Sequence, residues 1–132
     1  MRNLVQFVCV TLLAGCVYLS HYEKVLQRSE ERVPTWVSET EGNKTVSQIP
    51  NSQTMDIVIK RKQVYNLSLG IKQVENMISV RLKSVVSTYE LKTIYWEYRQ
   101  KELPNGTENY YVIWVCISVP KSEYEKALQE LS

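Results

Sequence analysis

Nucleophilic or metal chemistry in this chain of 132 residues would fall to three cysteines, Cys9, Cys16 and Cys116, and to one histidine, His21. No His/Cys/Asp/Glu grouping has zinc or iron spacing, so no metal or other cofactor is expected. A Ser/His/Asp or Cys/His arrangement would have to recruit His21, five residues past Cys16 and ahead of any folded domain. Cys116 lies in an apolar run, where a thiol is packing rather than a nucleophile. The four glycines, Gly15, Gly42, Gly70 and Gly106, form no phosphate-cradling loop. A glycosidase needs two carboxylates a few ångströms apart in a cleft, and nothing pairs Glu97 with Glu102 in that way. The chain therefore reads as a protein without catalysis. A binding role would fall to Tyr95, Glu97 and Arg99, which alternate with Ile94, Trp96 and Tyr98 and so share the opposite face of a strand. Trp36, Trp96 and Trp114 with their neighbouring tyrosines suit a carbohydrate or peptide platform, but aromatic strands in a small sheet more simply form a core. The run Lys60-Arg61-Lys62 suits phospholipid headgroups or a cell-wall polymer, and more simply a solvated helix face.

The most specific chemical signal is at the N-terminus. Met1-Arg2-Asn3 gives a short positive start, and Leu4–Leu19 is mostly apolar. That run is shorter than the ~20 residues a spanning helix needs, and it fits the apolar region of a signal peptide. Leu13-Ala14-Gly15-Cys16 closes it and resembles the lipobox of bacterial lipoproteins. Small side chains let a signal peptidase close on an extended backbone. The cysteine sulfur takes diacylglycerol, and after cleavage behind Gly15 the freed amine can take a third, palmitate-type chain. Two or three chains anchor stably where one chain is marginal. The expected address is a lipid-anchored membrane protein of the bacterial cell envelope. Val17, rather than aspartate, after the cysteine points to the outer membrane over the inner. An uncleaved signal anchor over Leu4–Leu19 would leave the same domain on the same side.

Composition is compatible with one domain beyond that leader. Hydrophobic residues are 44% of the chain, an ordinary share. Of the 16 Lys and Arg only Arg2 lies in residues 1–15, so the remainder, with 14 acidic residues, carries about +1. That near balance lacks the basic excess of a nucleic-acid binder. With Cys16 lipidated and Cys9 in the leader, only Cys116 is left, which excludes a disulfide scaffold. The expected division is a signal peptide over 1–15, a lipidated cysteine and tether over 16–32, and a single domain over 33–132. The Asn-x-Ser/Thr triplets at Asn43, Asn66 and Asn105 read as coincidence beside a bacterial lipobox.

The fold class expected for that domain is α+β, with a long amphipathic helix, a small antiparallel sheet holding an aromatic-rich hairpin, and a C-terminal helix. Val33-Pro34-Thr35-Trp36-Val37 reads as an edge strand or extended segment, and residues 40–54 as a loop. Ile57, Val64, Ile71, Val74, Ile78, Leu82 and Val85 form one helical stripe, predicting a helix from about 53 to 80 with Ser52 or Thr54 as N-cap. Gly70 interrupts it, marking close packing on a sheet or a break. Leu91–Lys101 and Tyr110–Val119 flank Asn105-Gly106 and read as a β-hairpin. Both faces of the second run are apolar, so it belongs in the sheet interior. Ser122 and Glu125 make a capping-box pattern before a stripe of Tyr124, Ala127, Leu128 and Leu131.

This layout resembles the twenty-kilodalton lipoprotein family, typified by a surface antigen of Helicobacter and related to a domain of the flagellar H-ring protein FlgT. The resemblance rests on the segment ending at Cys16, on Pro34-Thr35-Trp36, on the amphipathic helix, and on the Trp/Tyr-rich hairpin ending Tyr-Tyr-Val-Ile-Trp-Val-Cys-Ile-Ser-Val-Pro before a helix. It spans roughly residues 33–131. An alanine-rich helix face and a glycine-marked strand after Pro-x-Trp, both usual in that family, are missing here. The resemblance implies an envelope role in assembly, adhesion or support of a surface structure, with an envelope protein or a second copy as partner and no catalytic residues. The alternative from the residues alone is an anchored module that binds cell-wall glycan or a small ligand.

Overall fold

The computed structural model describes residues 23–38, 46–47 and 53–132. The segment Leu13–Cys16 read as a lipobox, with Cys9 and His21, lies outside the described residues. The elements run β1 (Glu23–Arg28), α1 (Thr35–Ser38), β2 (Val46–Ser47), β3 (Thr54–Val64), α2 (Leu67–Leu82), β4 (Glu90–Leu103), β5 (Gly106–Pro120), a single 3₁₀ turn (Lys121–Glu123) and α3 (Tyr124–Leu131). The fold is mixed α+β and mostly sheet. One antiparallel sheet has the order β1-β4-β5-β3-β2.

β5 lies at the centre because its sequence covers both faces. Ile113, Val115, Ile117 and Val119 point to one side and pack under α2 and α3 with Ile57, Ile59, Val74, Ile78, Leu82 and Leu131. Val112, Trp114 and Cys116 point to the other side and pack with Val37, Val58, Tyr95 and Tyr110. β4 pairs with β5 along its length, from Glu90 opposite Ser118 to Leu103 opposite Gly106. Pro104 and Asn105 form the connection, and Gly106 sits at φ +150°, which a side chain would resist. Trp96 meets Tyr111 edge-on with centroids 5.5 Å apart, and Tyr98 lies 4.7 Å from the same ring.

Several sequence expectations are corrected. The helix expected from about 53 to 80 is two elements, since Thr54–Val64 is strand β3 and the helix is Leu67–Leu82. Ile57, Val58 and Ile59 are all buried, a continuous apolar run covered on both faces, and such a run carries neither period. A bulge between Arg61 and Val64, with Gln63 at φ 58°, precedes the last residue of the strand, Val64, which pairs with Tyr111. The N-cap is Asn66, whose side chain accepts a 3.0 Å hydrogen bond from the Leu69 amide, not Ser52 or Thr54. Second, the tether expected over 16–32 does not extend through its second half. Glu23–Arg28 pairs with β4 as an edge strand, and Ser29 continues the contact through two 3.0 Å bonds with the Trp96 backbone. Third, Pro34-Thr35-Trp36-Val37 is no strand. Pro34 leads into the one-turn helix Thr35–Ser38, which lays Val37 on the second core. The Ser122–Glu125 capping box does not form either. Glu123 occupies the cap without a side-chain bond to the helix, and its carboxylate instead accepts from the amide and hydroxyl of Ser87.

Candidate functional site

Alternation along β4 puts Tyr95, Glu97 and Arg99 on the sheet face opposite the two long helices, beside Trp114, Tyr110 and Val112 of β5. The sequence brings the three together as expected, but as a surface they offer little. Tyr95 has no exposure and Glu97 is 4% exposed. They bond to one another. The Tyr95 hydroxyl donates to Glu97 Oε2 at 2.7 Å, and Arg99 donates to Glu97 Oε1 through Nε at 2.9 Å and Nη2 at 2.8 Å. Arg99 Nη1 reaches Glu23 Oε1 at 3.0 Å, and Arg28 stands 3.7 Å from Glu97 Oε2. This network clamps edge strand β1 to β4 through Glu23 and Arg28. Its partners on β1 were not legible in a segment read as tether.

The charges explain the electrostatics. Burial and the hydrogen bond to Glu97 push the Tyr95 phenol above its usual range. Burial and Glu23 do the same for Tyr110. Burial works to raise the Glu23 carboxyl, yet the Tyr110 hydroxyl, Arg99 and the charge of Lys62 hold it below its ordinary value of 4.5. Lys60 is lowered by burial and by the cations Arg99 and Lys62. Lys60 Nζ and Arg99 Cζ lie 5.4 and 5.7 Å from the Trp114 ring centroid, within cation–π reach. The indole Nε1 of Trp114 is buried and has no hydrogen-bond partner among the described residues. Cys116 is buried and its thiol is pushed up to about 11, first by burial and then by Asp56, as suits packing.

The Glu23 shift has a definite sign. A carboxyl held below its unfolded value binds fewer protons folded than unfolded as pH falls through 4.5. Its stabilising contribution is full above 4.5 and is lost as pH drops through the folded value. Urea midpoints of wild type and Glu23→Gln, measured between pH 7 and pH 3, should therefore converge in acid. Parallel curves would show that the charge on Glu23 contributes nothing.

Two shallow cavities flank the bulge at the end of β3. One, of about 410 Å³, lies between Arg61–Asn66 and the first turns of α2 at Leu69, Gly70 and Gln73. The other, of about 190 Å³, is lined by Glu23, Lys62, Gln63, Lys101 and Tyr110. The basic run Lys60-Arg61-Lys62 thus lies on a strand, not on a helix. Its members part ways, with Lys60 over Trp114 and Lys62 between the cavities. Among the described residues no three His, Cys, Asp or Glu side chains gather for a metal, and no helix is long and apolar enough to cross a membrane. Comparison of the chain with protein-family models, curated proteins and solved structures returns no match.

Proposed function

We propose that this chain is a lipid-anchored protein of the bacterial cell envelope, acylated on Cys16 after cleavage behind Gly15, that works by contact with an envelope protein or a second copy. The observation that carries the reading is Leu13-Ala14-Gly15-Cys16 at the end of an apolar run behind a basic start. The finer layout, an amphipathic helix with an aromatic hairpin and a terminal helix, fits the resemblance to the twenty-kilodalton lipoproteins. A contact role is supported by β1, a six-residue edge strand whose outer side pairs with nothing among the described residues and which carries the exposed Leu26. A ligand-binding role is the less supported reading, because the Tyr95/Glu97/Arg99 face is spent on internal bonds. Growth with an alkynyl fatty acid tests the anchor. Wild type should take up the label and Cys16→Ala should not. Equal labelling of both, or of neither, overturns the reading.

A further inference from the structure

The hairpin end of the sheet gathers features that the proposed function does not use. β1 starts there, since Glu23 pairs with Lys101. β4 and β5 turn there at Leu103 and Gly106, and β3 passes into α2 there through the Gln63 bulge. Three large apolar side chains stand in solvent at this end: Tyr65 is 64% exposed, Leu69 52% and Leu103 41%. Arg61, Lys62 and Lys101 lie among them, and none of the three holds a salt bridge among the described residues. Three acids share this end, and of them only Glu23 is paired with a cation among the described residues. Glu23 is held by Arg99, Glu108 accepts from the Tyr65 hydroxyl, and Glu102 is exposed.

We propose that this hairpin end, with Tyr65, Leu69 and Leu103 set among Arg61, Lys62 and Lys101, rests on the anionic headgroup surface of the bilayer that holds the chain. The occupant follows from chain length. Glu23 is the seventh residue after Cys16. Seven residues reach about 25 Å at full extension. An acyl anchor on Cys16 therefore keeps the start of β1, and with it this end, within that distance of the lipid. Exposed Leu and Tyr beside Lys and Arg have the chemistry of an interfacial surface, where apolar groups enter the headgroup boundary and cations meet anionic lipid. The docking rests on the proposed membrane attachment ahead of Glu23, by lipid on Cys16 or by an uncleaved Leu4–Leu19 anchor, so it survives if only acylation fails.

The test uses the full chain, purified from membranes and reconstituted into vesicles of phosphatidylcholine with or without phosphatidylglycerol. An environment-sensitive dye is placed singly at Leu69→Cys, Leu103→Cys or Val80→Cys. Val80 is 61% exposed near the far end of α2 and serves as the control. Vesicle flotation reports the anchor, and quenching by an aqueous quencher reports docking. Protection at 69 and 103 but not at 80, on phosphatidylglycerol vesicles, is expected. Lys62→Glu with Lys101→Glu should abolish it while flotation persists. Equal quenching at all three positions overturns the proposal. So does equal protection on vesicles lacking phosphatidylglycerol, and so does protection that rises with protein density, which would mark a second copy as the occupant.

Discussion

Glu97→Ala should lower unfolding stability by about 3 kcal/mol, the low end of what breaking a buried ion pair costs. The carboxylate is 4% exposed and serves the Tyr95 hydroxyl and the Arg99 guanidinium together. Its loss leaves a buried phenol without an acceptor and a guanidinium stripped of two bonds. Arg99 keeps Glu23 and is 22% exposed in its side chain, which places the cost at the low end of that range. Glu97→Gln keeps an acceptor for Tyr95 and should cost less. A cycle with Arg99→Ala should show coupling of about 1 kcal/mol or more, as expected for side chains sharing one network. Urea unfolding measures both. A loss under about 0.5 kcal/mol, the level of an ordinary surface substitution, would mean that the face is solvated and free for a ligand.

Gly70→Val is expected to be comparably damaging for a different reason. A Cβ at Gly70 would stand 2.3 Å from Val64 Cγ1 and 3.2 Å from Ile113 Cδ1. Val64 is a short branched side chain just after the bulge and cannot swing aside as a lysine would. Overpacking of this kind costs about 1–3 kcal/mol, more than the few tenths that valine gains over glycine in helix propensity. Gly70→Ala should be milder, and Val64→Ala should relieve it. Thermal or urea unfolding of the single and double variants checks this. An undiminished Gly70→Val midpoint would mean that α2 does not approach β3 so closely.

These two sites show where the sequence was legible and where it was not. The interior place of β5 followed from apolar residues on both its faces, because only a strand covered twice tolerates Val112, Trp114 and Cys116 opposite Ile113, Val115 and Ile117. Gly70 left two readings open, close packing on a sheet or a break in the helix, and the structure shows the close packing. The β3–α2 boundary was hidden because Ile57 and Val64 fall seven apart, in step with the true helical positions Ile71, Val74 and Ile78. The local signal is Asn66 before Leu67, which competes with the equally cap-like Ser52 and Thr54. β1 was hidden for another reason. Glu23, Lys24 and Arg28 read as solvated charge, yet Glu23 and Arg28 are the cross-strand partners of a buried network that no local pattern reveals. The candidate trio Tyr95, Glu97 and Arg99 was correctly placed on one face. That they bond to one another depends on what packs over them, which alternation along one strand does not specify.

Lipid on Cys16 would decide where the chain works, and intact-mass analysis of the chain extracted from membranes reads it out. A mature chain beginning at Cys16 with added acyl mass, absent from Cys16→Ala, is the expected result. A full-length chain without acyl mass would contradict it.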